Sequence, residues 1–138
     1  MQAQVLVERP IEQVWTFLIE QLAASYGSKE ELEGKEITLE TLNFMAQKIQ
    51  VKQRVSKMIE NHSIQLETTS THDLVSTIFE LKPNEEFTIL TLQEEAQASS
   101  KQYRLWNYKL MALPVLRRGA TRKLLERLKR MKQMIESS

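Results

Sequence analysis

The spacing of apolar residues changes period twice along this chain, and those changes constrain the fold more than any other feature. In residues 2–8, Ala3, Val5 and Val7 fall on one face of a short strand. Pro10 then suits the entry to a helix, and Glu12 suits the positive end of its dipole. Ile11, Val14, Trp15, Leu18, Ile19 and Leu22 recur every three or four residues, which predicts a helix over 11–22 ended by Gly27. Residues 28–34 are polar and read as a loop. From Lys35 the period drops to two. Ile37, Leu39 and Thr41, then Ile49, Val51 and Val55, then Ile64, Leu66 and Thr68, then Val75, Thr77, Phe79 and Leu81 each read as one face of a strand. A last strand is expected over 86–96. Turns are expected at Glu60–Ser63, at Thr71–Asp73 and around Pro83-Asn84, where the residues suit the centre of a type I turn. Turns 8–12 residues apart predict an antiparallel meander over 35–96.

The tail reverts to a helical period. Leu116, Ala120, Leu124, Leu128, Met131 and Ile135 form a stripe among arginines and lysines, which predicts an amphipathic helix over Val115–Glu136. Such a helix is about 33 Å long, as is a ten-residue strand at about 3.3 Å per residue. It is therefore expected to lie across the sheet and cover its apolar face. Tyr103, Trp106, Leu110 and Leu113 share helical spacing upstream, with Pro114 separating the two stretches. The expected class is α+β: a sheet of about six antiparallel strands wrapped around a long C-terminal helix, with a short helix after strand 1, in one domain spanning 1–138.

With 41% apolar residues and only three prolines and three glycines, the 138-residue chain has the makings of a packed core. It has no cysteine, which removes disulfides, thiolate chemistry and Cys-bound zinc. The N-terminal residues lack a signal-peptide pattern, and no apolar run approaches the roughly 20 residues of a membrane span. A cytoplasmic location is expected. The net charge of +1 conceals an asymmetry, with −8 over residues 1–100 and +9 over residues 101–138. The two parts are expected to attract each other in the fold. The lesser reading is a weak contact between residues 101–138 and an anionic surface.

No catalytic motif stands out. His62, His72 and Asp73, the only aspartate, fall at expected turns, where such residues serve the backbone. They fall short of the three or four ligands a zinc site takes, so neither metal nor cofactor is expected. Of Glu94 and Glu95, one should face inward, because neighbours on a strand point to opposite faces. The tail lacks zinc-finger spacing, RNP-type aromatics and a phosphate loop, so sequence-specific nucleic-acid binding is not expected.

Certain stretches carry a resemblance: Val7-Glu8-Arg9-Pro10-Ile11-Glu12-Gln13-Val14-Trp15, the Leu74–Leu81 strand, Thr91-Leu92-Gln93-Glu94-Glu95, and the basic helix from Arg117. With the order of elements, they resemble the START/SRPBCC superfamily of helix-grip proteins, which includes the birch-pollen allergen and the polyketide cyclases. Within it the chain is most similar to a small subfamily of Gram-positive bacteria. The resemblance implies a cavity between sheet and C-terminal helix, smaller than in the seven-stranded plant members. The expected function is binding of a small apolar or amphipathic molecule there. A cyclase-like or hydratase-like enzyme in the same cavity, and an interaction protein using its basic helix, are the alternatives. The expected lining is Trp15, Leu18, Tyr26, Val51, Val55, Leu66, Phe79, Leu90, Trp106, Leu110, Leu113 and Leu116. Thr68, Thr77, Thr91 and Tyr108 are the candidate polar groups.

Overall fold

The structure, a computed structural model, describes residues 1–42, 48–70, 73–98 and 114–137. The expectations on His72, Tyr103, Trp106, Tyr108, Leu110 and Leu113 lie outside these residues. The elements are β1 (Gln2–Val7), α1 (Ile11–Tyr26), β2 (Glu36–Leu42), β3 (Lys48–Ile59), β4 (Ser63–Thr69), β5 (Asp73–Asn84), β6 (Phe87–Ala98) and α2 (Pro114–Glu136). The six strands make one antiparallel sheet in the order β1-β6-β5-β4-β3-β2. The meander from β2 to β6 is as expected, and β1 closes onto β6.

The alternation of apolar residues becomes rows across one face. Ala3, Leu92, Phe79, Ile64 and Met58 lie opposite one another from β1 through β6, β5 and β4 to β3. Val5, Leu90 and Leu81 form the next row, and Val7, Thr88 and Pro83 the row beyond. Val55, Leu66, Thr77 and Glu94 run parallel on the other side. One buried cluster joins this face to Val14, Leu18 and Tyr26 of α1 and to Leu124, Leu128 and Ile135 of α2. Burying each such leucine or isoleucine stabilises the fold by about 1.5–3 kcal/mol.

α1 is one turn longer than its apolar spacing predicts. Ala23, Ala24 and Ser25 continue the helix without breaking it, and Tyr26 adds a last buried contact. Gly27 then stops it in the left-handed region (φ 83), its N–H donating to the Ala23 carbonyl at 2.8 Å. The polar loop that follows carries one buried anchor, Leu32, which its sequence surroundings conceal.

Two irregularities explain where strand reading from the sequence fails. In β3, Val55 pairs with Leu66 but Lys57 pairs with Gln65, leaving Ser56 as a bulge. The bulge resets the alternation, so Met58 returns to the apolar face. Pro83 is not in the turn. It pairs with Thr88 inside β5, and the turn is Glu85-Glu86, with Glu85 at φ 58. The Leu81 N–H points to the His62 carbonyl on the β4 side. A residue at position 83 would point its N–H the same way, past the end of β4, so proline forfeits no ladder bond there.

The close backbone contacts of α2 are concentrated at one edge of the sheet. The helix packs chiefly along β1, with lesser contacts to β6 and α1, while α1 packs over β5 and β6. The reason is visible at the open edge of β1. The Glu94 N–H donates to the Met1 carbonyl, so alternate β1 residues face β6 and those between, including Leu6 and Glu8, face outward. Lys132 Nζ donates to the Leu6 carbonyl at 2.6 Å, and the Glu8 N–H donates to Glu136 Oε2 at 2.8 Å. Lys132 and Glu136 are themselves paired at 3.4 Å, and the Arg9 guanidinium donates to the Glu136 carbonyl. An exposed strand edge is thus covered by the polar side of a helix. No described helix is long and apolar enough to cross a membrane.

Candidate functional site

The apolar face is fully buried at one end and largely half-buried toward the other. At the fully buried end lie Val7, Thr88, Leu81 and Leu90, and the Thr88 hydroxyl donates to the Arg9 carbonyl at 2.9 Å, tying the β1–α1 corner to β6. Toward the other end Ile37, Gln53, Thr68 and Val75 line up across β2, β3, β4 and β5 and are only half-buried. A line of polar side chains crosses this face. The Tyr26 hydroxyl donates to Gln53 Oε1 at 3.1 Å, and Gln53 Nε2 donates to Thr68 Oγ1 at 3.3 Å. Thr77 follows on β5, and Glu94 opposite it on β6 accepts from Arg127 of α2 at 2.9 Å.

The line is chemically uneven. Burial pushes the Tyr26 phenol above the ordinary tyrosine value, so it stays a neutral hydrogen-bond donor well beyond neutral pH. Glu94 and Arg127 compensate each other's charge. The Thr77 side chain shares the concave face with Val75 and Phe79, is 7% exposed, and makes no hydrogen bond to any described residue. Thr91 is equally buried but lies on the convex face, level with Gln4 and Glu80.

Of the residues expected to line a cavity, Leu18, Tyr26, Val55, Leu66, Phe79 and Leu90 fall in the single buried cluster, and Trp15 packs against it half-buried. Val51 is buried on the same face, two residues along β3 from Gln53. Leu116 belongs to α2 by its backbone; Trp106, Leu110 and Leu113 lie outside the described residues. Thr68 and Thr77 share the concave face with the expected lining, whereas Thr91, between the inward Leu90 and Leu92, faces the convex side. Gln53 joins Thr68 and Thr77 on the inward face, as its place between Val51 and Val55 dictates, although its polarity disguises this in the sequence. Glu94 is the inward member of its pair.

Elsewhere, a groove of about 490 Å³ lies on the solvent side of α1 against the end of α2, between Gln13, Phe17, Glu20, Met134 and Ser137. It is wide open and separate from the concave face. Among the described residues no three acidic or histidine side chains converge as a metal site, and His62 is exposed in the β3–β4 turn.

No protein-family model matches the chain, and no curated protein matches it. Solved structures do. A conserved protein from Geobacillus kaustophilus matches at a TM-score of 0.63 with 18% identity, over 99% of this chain and 95% of that one. The Polyketide_cyc-like protein of Corynebacterium glutamicum matches at 0.59 with 17% identity, over 99% and 90%. Ara h 8.0201 matches at 0.64 with 8% identity, over 100% and 97%. At these identities the likeness is one of fold, and the fold is the helix grip.

Proposed function

We propose that this chain is a member of the SRPBCC superfamily that binds a small apolar or amphipathic molecule on the concave face of its sheet, toward the end bounded by Ile37, Gln53, Thr68 and Val75. The observation that carries this reading is the pairing of an apolar floor with a line of inward polar groups that remains half-accessible. Ligand pockets have this composition, mostly apolar with a few placed polar groups. The fold family's habit of holding small hydrophobic ligands supports it. The likeness to a Gram-positive subfamily and a cytoplasmic location belong to the same proposal. Native mass spectrometry of protein purified from its own host tests it. A small molecule retained under gentle ionisation and lost on unfolding is expected. Protein of unadorned mass that also fails to bind N-phenyl-1-naphthylamine, a neutral apolar fluorophore, would contradict it.

A second reading rests on α2. Arg122, Lys123, Lys129 and Arg130 are exposed on its outer side, with Glu126 the anion among them. This arrangement supports a weak attraction to anionic surfaces, opposed by the acidic body. Binding to anionic vesicles should fall steeply between about 50 and 200 mM salt, because contacts to phosphate release counterions. Tight binding insensitive to salt would make α2 a dedicated recognition element.

A further inference from the structure

Thr77 presents an unusual combination. Its hydroxyl is on the concave face of β5, its side chain is more than nine-tenths buried, and no described residue bonds to it. Buried polar groups in folded proteins are nearly always partnered. The neighbouring polar groups narrow what the missing partner is. Thr68 Oγ1 accepts from Gln53, so its own hydrogen is free to donate. Gln53 uses one amide hydrogen on Thr68 and has a second. Three donors therefore share two neighbouring rows of the concave face: the Thr77 hydroxyl, the Thr68 hydroxyl and the second Gln53 N–H. The charged pair at the end of the line adds no net charge, because Arg127 is bound to Glu94. Such a site suits an oxygen that accepts hydrogen bonds without carrying a full negative charge.

We propose that Thr77, with Thr68 and Gln53, forms a subsite for a hydroxyl or carbonyl oxygen of an otherwise apolar, uncharged ligand. This rests on the concave-face binding reading above and specifies the chemistry of its occupant. The ligand oxygen takes the place of the absent partner of Thr77, and the hydrocarbon part lies on the Leu66–Val75 side of the row. Preference for an oxygenated ligand arises because an isostere lacking the oxygen leaves the buried hydroxyl unpaired.

The test is displacement of N-phenyl-1-naphthylamine by 1-decanol, 1-chlorodecane and decanoate, in the wild type and in Thr77→Val and Thr77→Ser. In the wild type, 1-decanol should displace the probe about three- to tenfold more strongly than 1-chlorodecane, the worth of one hydrogen bond. Decanoate should be weaker than the alcohol. Thr77→Val should abolish the preference for the alcohol over 1-chlorodecane, and Thr77→Ser should restore it. Because Val removes a buried hydroxyl without a partner, the ligand-free variant should melt at the same temperature as the wild type or higher. Equal displacement by alcohol and chloroalkane in the wild type would overturn the subsite while leaving the apolar site standing. A preference for decanoate that is lost in Arg127→Gln rather than Thr77→Val would also overturn it, in favour of an anion site. Failure of the probe to bind the wild type at all would remove the underlying binding site itself.

Discussion

Leu128 is fully buried in the middle of the α2 stripe, whereas Leu6 on β1 is 39% exposed. Truncation to alanine should separate them. Leu128→Ala should cost about 2–5 kcal/mol in urea unfolding, the range for cavity-forming core substitutions. Leu6→Ala should stay within about 0.5 kcal/mol. Glu136 gives the residue-scale pH dependence. The Glu8 N–H, together with Lys132 and Arg9, holds its carboxyl below the ordinary carboxylate value. A lowered folded pKa stabilises the native state fully above the unfolded value, about 4.3, and that stabilisation is lost as pH falls through the folded value. The difference in stability between the wild type and Glu136→Gln should therefore shrink as denaturation is followed into acid. A difference that stays constant would mean the carboxylate charge is not what binds α2 to β1. Residues such as Leu128 and Phe79 were legible as core because their periodicity is unbroken. Leu32 was not, because a single apolar residue among acids has no period to read. Gln53 is inconspicuous for a related reason: inward direction follows from alternation, but polarity disguises it.

Among the elements, β3 makes the sharpest case. Its alternation fails after Val55 because Ser56 is an extra residue, and the strand continues to Ile59. Deleting Ser56 should leave Lys57 opposite Gln65 and Met58 opposite Ile64, with a cost below about 1 kcal/mol. Deleting Lys52 should be far more damaging, because a one-residue shift without a bulge turns one flank's side chains to the wrong face. Comparable unfolding midpoints for the two deletions would contradict the bulge. The place of Pro83 within β5 rather than in the turn has a similar origin. Proline-asparagine has turn chemistry, but which residues occupy a turn depends on where β4 ends, and that is a tertiary fact. α2 shows what length matching leaves out. A helix as long as the sheet can cross its centre or follow its edge, and here the edge strand's outward carbonyl and N–H groups meet Lys132 and Glu136. Hydrogen exchange at the Glu8 amide should accelerate about tenfold or more in a Lys132→Ala, Glu136→Ala variant, since local opening follows the loss of the groups that cover it. Exchange unchanged in that variant would mean the edge is protected by something other than the helix.

For the whole molecule, the order of elements was readable because each period change coincides with a change in the layer a segment joins. The position of a site within that fold was only partly readable, because it depends on which rows of the sheet the helices cover. α1 and α2 gather over β5, β6 and β1, and the polar line from Tyr26 to Arg127 crosses the concave face. The most direct measurement of this account is methyl NMR on Ile, Leu and Val side chains during titration with 1-decanol. The account predicts shifts concentrated on Ile37, Leu39, Val51, Leu66 and Val75, with Leu6 and Ile59 on other surfaces unmoved. Shifts confined to Leu6 and Ile59, or to Ile19 and Leu22 of α1 with the concave face silent, would contradict it.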